Sequence, residues 1–600
     1  MRTYNPDKPE SFLKPIAPPA PPTPAYKPAP GMSDDCSSGN PCIREYEVHA
    51  MTVQRALGND AAALEYNTRG VNLGGGKSDS AHPLEDPLGL VYVVVQKGQT
   101  VTPQKTVEPL VLRANAGDWV HVTLVNDFNG DEAVFKSFEA ASRFGLTYAS
   151  PYNYVQIASS PNVGVHAQLV SYDMRSNDGA NVGNNAVQTA PPHGKVDYWW
   201  YAGTIEDGRQ TPVEFGAINL MPSDPLMQVY RGLFGALVVE PAGSHWTPDP
   251  QSMASATVWS ADKVFREFVV MYQNDANMLT NGQSWWATGN PLAGFNYRAE
   301  PAWLRLGTQL NAALGSNAPK DWTQLTASDV QNISLLPMSQ VDETATTSNQ
   351  LVAAEPQTPI YRAPAHMPAR FRLVMPGGDG DNQITWELTG HVWQEEPYTA
   401  QSTRIGYNPT SESVGTLTGY GAASAYDVVL DDTPGTTPSG GRFGVAGDYL
   451  YRAWTANMFQ GGAWGVFRVA PWTPSSSNAF PDTVGITSVV VTNGRGTTVT
   501  GFVTPCPNRV KQERTGMTIC EAGGFVGNVS TNGGTAAVHN GLWTQTFTRA
   551  TPSIRITSPA GGVATWNAPP PQLAAKAFKV QSPAASTLTA PHRPKRLPRQ

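Results

Sequence analysis

The sequence predicts an all-β chain: two related β-sandwiches followed by a smaller one, with proline-rich tails at both ends. Three observations predict it. Short segments alternate apolar and polar residues between turn residues, helical periodicity is scarce, and one strand pattern recurs in the two halves of the chain. The composition agrees. Of 600 residues only 15% are charged, while 56 are Gly, 52 Pro and 16 Trp. The net charge of −7 with pI near 5.8 excludes a strongly basic nucleic-acid footprint. The tightest bound is on metal chemistry, because the chain holds only 4 Cys and 10 His.

Residues 1–42 form a Pro-rich tail; APPAPPTPAYKPAP favours extended polyproline II and cannot build a core. The first sandwich is expected over 43–243. PLVLRANAGDWVHVTLVND places Val120, Val122 and Leu124 on one face and His121 and Thr123 on the other. The second is expected over 255–473, with ARFRLVMPGG as a typical strand and PAWLRLGTQLNAAL as the best helix. The repeat pairs PHGKVDYWWYAG (192–203) with VAGDYLYRAW (445–454), and GLFGALVVE (232–240) with GAWGVFRVA (462–470). Glycines at the entry of the last strand imply close backbone approach. Residues 484–567 read as a small Ig-like or fibronectin-like sandwich, and 568–600 as a disordered basic tail.

The cysteines fall in two local pairs, Cys36/Cys42 and Cys506/Cys520, which suits disulfides in an oxidising compartment. A Cys506–Cys520 bridge would stabilise its short loop by roughly 3 kcal/mol. Residues 1–31 show no apolar stretch of about 7–15 residues of the kind a signal peptide needs, and no run of about 18 apolar residues suggests a membrane helix. The expected location is therefore periplasmic or extracellular in style, with no visible export signal; a fragment of a longer protein is left open.

EPLVLRANAGDWVHVTLVN, VSYDMRSNDGANVG, GLFGALVVEP, LTGHVWQ and GDYLYRAWTANMFQGGAWGVFRV, in that order, resemble the multicopper oxidases. The resemblance covers roughly residues 43–473. It implies cupredoxin-like Greek-key sandwiches and a blue copper feeding a trinuclear copper cluster that reduces dioxygen. A blue copper needs a Cys thiolate, two His and a weak axial ligand; the cluster takes four His-x-His pairs. Laid on this chain, the final His-Cys-His motif falls on Arg452, Ala453 and Trp454. The later His falls on Met458 and the axial position on Ala463. Arg cannot deprotonate to coordinate and Ala has no donor. The preceding His-Leu-His-Gly-His motif reads Glu387, Leu388, Thr389, Gly390, His391, so both ligand positions are replaced. In the first half, His-Trp-His is matched by His166, Ala167, Gln168, and the Tyr-His-Ser-His segment falls near 215–219.

The resemblance therefore implies copper sites degenerate at Glu387, Thr389, Arg452, Ala453, Trp454, Met458 and Ala463. His166 and His391 are the remnant metal candidates, with Glu387 or Asp173 as partners in a mononuclear site. No cofactor is expected, copper being the sole alternative. Trp454 and Met458 are expected to fill the volume the metal would take. Adjacent carboxylates such as Glu395/Glu396 and Asp431/Asp432 point to opposite strand faces and read as surface charge. GGDGDN (377–382) and SNDGAN (176–181) read as turns. The leading function is a non-catalytic structural or interaction component, with a protein or surface partner that includes an active oxidase subunit among its candidates. The alternatives are a copper-dependent oxidoreductase with a remnant or partner-completed site, and a carbohydrate- or surface-binding protein using exposed tryptophans.

Overall fold

The computed structural model describes residues 27–36, 40–136 and 158–302 with short omissions, 336–339, 355–470 apart from 378–382, and the strands of 483–567. The statements below concern these residues. The tails, most of the expected helix at 301–314, the GGDGDN turn apart from its first residue, and Cys506 with its bridge lie outside them.

The first sandwich is built from β1 (Ile43–Thr52), β2 (Leu90–Val95), β3 (Leu110–Asn115), β4 (Trp119–Asn126), β5 (Val165–Ala167), β6 (Lys195–Tyr201), β7 (Gly216–Pro222) and β8 (Gly235–Glu240). Its sheets run β6-β4-β1-β2 and β3-β8-β7-β5. Their facing side chains, among them Leu112, Val122, Trp200, Ile218 and Leu237, form one buried cluster. A disulfide closes Cys36 on Cys42 just before β1. Asp118 fixes that entry, accepting from the Cys42 amide at 3.0 Å and from Arg44 Nε at 2.8 Å.

The second sandwich uses β9 (His245–Asp249), β10 (Ser252–Trp259), β11 (Val264–Gln273), β12 (Gly294–Phe295), β13 (Ile360–Pro364), β14 (Ala369–Val374), β15 (Ile384–Leu388), β16 (Thr416–Tyr420), β17 (Ala425–Leu430), β18 (Gly447–Ala453) and β19 (Trp464–Ala470). One sheet runs β9-β10-β11-β14-β17, with β12 against β11, and the other β13-β19-β18-β15-β16. Phe268, Phe371, Trp386, Tyr451 and Phe467 fill the space between them. Both sandwiches mix one parallel pair into each sheet: β1 with β4 and β3 with β8, then β11 with β14 and β13 with β19.

This matching topology revises one arm of the expected repeat. β8 and β19 are equivalent, each parallel to an early strand and antiparallel to its predecessor. The predecessor of β19 is β18 (447–453), but that of β8 is β7 (216–222), not the aromatic strand at 195–201. β6 instead matches β17, since each is antiparallel to the strand that pairs in parallel with the first. Aromatic alternation marks any strand with one face in a core, so it did not distinguish the two. The entry glycines do require close approach: a Cβ on Gly235 would sit 2.6 Å from the Leu110 Cβ, and one on Gly465 2.2 Å from the Tyr451 hydroxyl.

The two sandwiches pack sheet on sheet, giving four β layers. β3 and β8 are buried at every residue because each has a core on both sides. Leu110, Leu112, Leu237 and Val239 face the first core, while Val111, Ala236 and Val238 meet Val269, Met271 and Val374 of the second sandwich. Of the strands from 483 to 567, which carry the Ig-like expectation, seven form one antiparallel sheet, and Asn508–Lys511 pairs with Thr518–Glu521 in a separate two-stranded one.

Charged residues also lie on the faces that form the seam. Arg372 Nη2 donates to Glu240 Oε2 at 2.8 Å, Nη1 to Asp427 Oδ1 at 2.6 Å, and Nε to Glu267 Oε2 at 3.3 Å. Arg113 Nε donates to Glu267 Oε1 at 2.9 Å, and Arg370 pairs with Glu214. Three guanidinium groups thus meet four carboxyls. Burial and the neighbouring Glu267 push the Glu240 carboxyl well above the usual carboxylate range. Burial opposes the charge of Glu267, but Arg113, a hydrogen bond with Glu240 and Arg372 together hold it down, near 2. The two carboxyls are thus pushed in opposite directions, Glu240 towards the neutral acid and Glu267 towards the carboxylate.

Arg372→Leu is expected to lower stability by about 3–5 kcal/mol, since it strands buried carboxylates. Glu240→Gln, which keeps the hydrogen-bonding shape of a neutral carboxyl, is expected to cost under about 1 kcal/mol. Urea unfolding of both variants checks this, and equal losses would refute the upward push on the Glu240 carboxyl.

Candidate functional site

Strand register puts the two motif segments in equivalent places. On β5 and β7, His166 faces Met221 and Ala167 faces Leu220. On β15 and β18, Glu387 faces Arg452 and Leu388 faces Tyr451. Leu220 and Tyr451 in turn lie opposite Gly235 and Gly465. His166 and Glu387 therefore hold one topological position in the two sandwiches, as do Gln168 and Thr389. Leu169 (φ 63°) and Gly390 (φ 73°) share the same left-handed backbone turn. The same register makes 221–223, not 215–219, the counterpart of 452–454, and Met221, Pro222 and Ser223 stand there.

The side chains at these positions are engaged in packing and pairing. Glu387 Oε2 accepts from Arg452 Nε at 2.6 Å across the β15–β18 pair. The Arg452 guanidinium lies 3.6 Å from the Trp454 ring centre and 5.7 Å from that of Phe459. Trp454 is 54% exposed. It does not fill a vacated core as expected; Arg452, tethered to Glu387, holds it at the surface through cation–π contact. Met458 does fill the core, fully buried with Ala453 and Ala463. Main-chain bonds join the three: the Ala453 amide donates to Ala463 O at 2.9 Å and the Ala463 amide to Met458 O at 3.0 Å. Thr389 Oγ1 accepts from the Leu450 amide at 3.0 Å.

His166 and His391 do not share partners. His166 Nδ1 lies 3.1 Å from Asp178 Oδ1. Asp178 also accepts from the Tyr172 hydroxyl at 2.8 Å. Asp173, the proposed third ligand, is taken by Arg175 through its Nε and Nη2, which holds its carboxyl below the usual range. His391 is buried against Tyr449 and Phe467. Its Nε2 accepts from the Gly440 and Gly441 amides at 3.1 and 3.2 Å, and its Nδ1 donates to Thr389 O at 2.9 Å. That pattern fixes a neutral ring with no lone pair left for a metal. Among the described residues no group of three or more His, Cys, Asp or Glu side chains is placed to hold a metal ion. The donor set at the motif positions, one buried thioether beside two alanines and an Arg–Glu pair, does not fit a thiolate–imidazole copper centre.

Two features went unread in the sequence. Gln168 and Asn219 tie the sandwiches together: Asn219 Nδ2 donates to Gln168 Oε1 at 3.0 Å and to Ser424 O at 2.9 Å, and Gln168 Nε2 to Ala423 O at 3.2 Å. The buried charges of the seam are the second. Their signal was present, because Arg113, Glu240, Glu267, Arg370 and Arg372 interrupt strands that are otherwise apolar.

No family model matches the chain, and no curated protein matches it. Among solved structures it is similar to a copper nitrite reductase from Nitrosomonas europaea, at 12% identity over 71% of this chain and 94% of that one, with a TM-score of 0.35. A multicopper oxidase (12% identity, 71% and 89%, TM-score 0.33) and a blue copper oxidase from Nitrosomonas europaea (12%, 71% and 86%, 0.32) are similar to the same extent.

Burial lowers the His391 ring to about 4, against a smaller opposing effect of the Thr389 carbonyl, and burial alone lowers His366 to about 4. Both values lie below the unfolded one near 6.5. The stability these neutral rings contribute is thus complete above pH 6.5 and lost as pH falls through 4, by roughly 3 kcal/mol per ring. Urea midpoints measured from pH 7 to 4 should fall less steeply for His391→Asn than for the parent; parallel curves would refute the assignment.

Proposed function

We propose that the chain is a non-catalytic structural or interaction protein that keeps a multicopper-oxidase-like scaffold and has lost the copper sites. One observation carries the reading. The positions where that family's motifs would place His, Cys and axial ligands hold a Glu387–Arg452 ion pair and the buried apolar residues Ala453, Met458 and Ala463. Each of these side chains has a structural occupation: the ion pair ties β15 to β18, and the apolar residues pack the second core. The exposed ends of the motif strands and the loops beside them would then serve contact with a partner, in keeping with function residing on loops carried by a rigid scaffold.

The protein, loaded with copper and desalted, is expected to retain substoichiometric metal, to show no blue charge-transfer band and to leave phenols unoxidised. Metal analysis, a visible spectrum and an oxygen-uptake assay check this. Stoichiometric copper with phenol oxidation would overturn the proposal in favour of the oxidoreductase.

A further inference from the structure

At the edge of the seam a cleft of about 260 Å3 opens between the end of β8 and the loop that follows β15. Three cations line it: Lys263 before β11, Arg370 on β14, and Arg404. Among the described residues lining it there is no carboxylate. The carboxylates that fix two of these cations lie behind the wall: Glu214 holds Arg370 and Asp431 holds Lys263, and both acids are buried. The loop itself is pinned, with the Ile405 amide donating to Glu214 Oε2 at 3.1 Å and the Glu214 amide to Thr403 O at 2.9 Å. The wall is therefore preorganised by second contacts, as a binding site requires.

The remaining lining is polar and aromatic. Ser260, Thr399 and Ser402 supply hydroxyls, and the rings of Tyr398 and Tyr407 stand about half out in solvent, 51% and 48% exposed. Cationic groups select a carboxylate or sulfate, hydroxyls suit a polyol, and exposed tyrosine rings give a flat apolar face for a saturated ring to lie on. The volume falls below the roughly 300–1,000 Å3 of pockets that take drug-sized ligands, so it suits one ring and no chain of them. From these features we propose that the cleft binds a small hydroxylated organic anion of the size of a single acidic sugar. The proposal does not depend on whether the chain binds copper.

Titration calorimetry of the full chain with D-glucuronate tests it, alongside D-glucose, which has the ring without the charge, and inorganic sulfate, which has the charge without the ring. Glucuronate is expected to bind about tenfold or more tightly than either. Arg404→Gln is expected to weaken glucuronate by about tenfold. Gly406 also lines the cleft, and a Cβ there would meet nothing within 4 Å. Gly406→Leu therefore narrows the cleft without a backbone clash, is expected to weaken binding too, and decides the matter if Arg404→Gln does not fold. No heat with glucuronate, equal affinity for glucose or sulfate, or binding unchanged in both variants would overturn the proposal.

Discussion

The packing of one sandwich on the other constrains the rest of the molecule. Two sheets that would each have one wet face instead press together, so β3, β8, β11 and β14 are almost wholly buried. Charged side chains on those faces had to be neutralised in place. Arg372 is the hub, bonded to carboxyls from both sandwiches, and it commits Glu240, Glu267 and Asp427 to one arrangement. A hydrophobic seam of the same area would hold the layers together with less demand on geometry. The ion cluster instead requires that both sandwiches be present and in register before any member is satisfied.

The same logic explains the motif positions. Glu387 and Arg452 face one another on antiparallel neighbours, where opposite charges are directly paired. Once Arg452 is held there, its guanidinium plane offers a seat for Trp454, and the indole turns outward. Ala453, Met458 and Ala463 point the other way, into the aromatic core around Phe467. The alternation of the strand sorts these residues into a polar outer set and an apolar inner set, and neither set offers a thiolate or an imidazole. His391 fits its place because a buried imidazole can satisfy two glycine amides and one carbonyl at once.

Much of this was legible in the sequence, and the errors have physical causes. The all-β class followed from period-two alternation, and the equivalence of 232–240 with 462–470 from glycines that allow strand contact. The motif segments at 166–168 and 387–389 were placed by resemblance, and the register puts them in matching positions. The partner strand in the first sandwich was misplaced because aromatic alternation marks many strands alike. Trp454 was assigned to the core on volume; its position follows from an Arg two residues earlier whose counter-ion is 65 residues away in the chain.

Local rules of the chain determined which segments became strands, which face of each was apolar, and that positions 452, 453, 454, 458 and 463 carry neither Cys nor His, because these depend on side-chain chemistry and spacing alone. The pairing of strands far apart in sequence, the burial of the second face of β3 and β8, the upward push on the Glu240 carboxyl and the cation-lined cleft at the seam were decided only by tertiary structure. Each arises from groups brought together across the sandwich–sandwich contact, and a charge in a strand acquires its meaning only when the face it lies on is known to be covered.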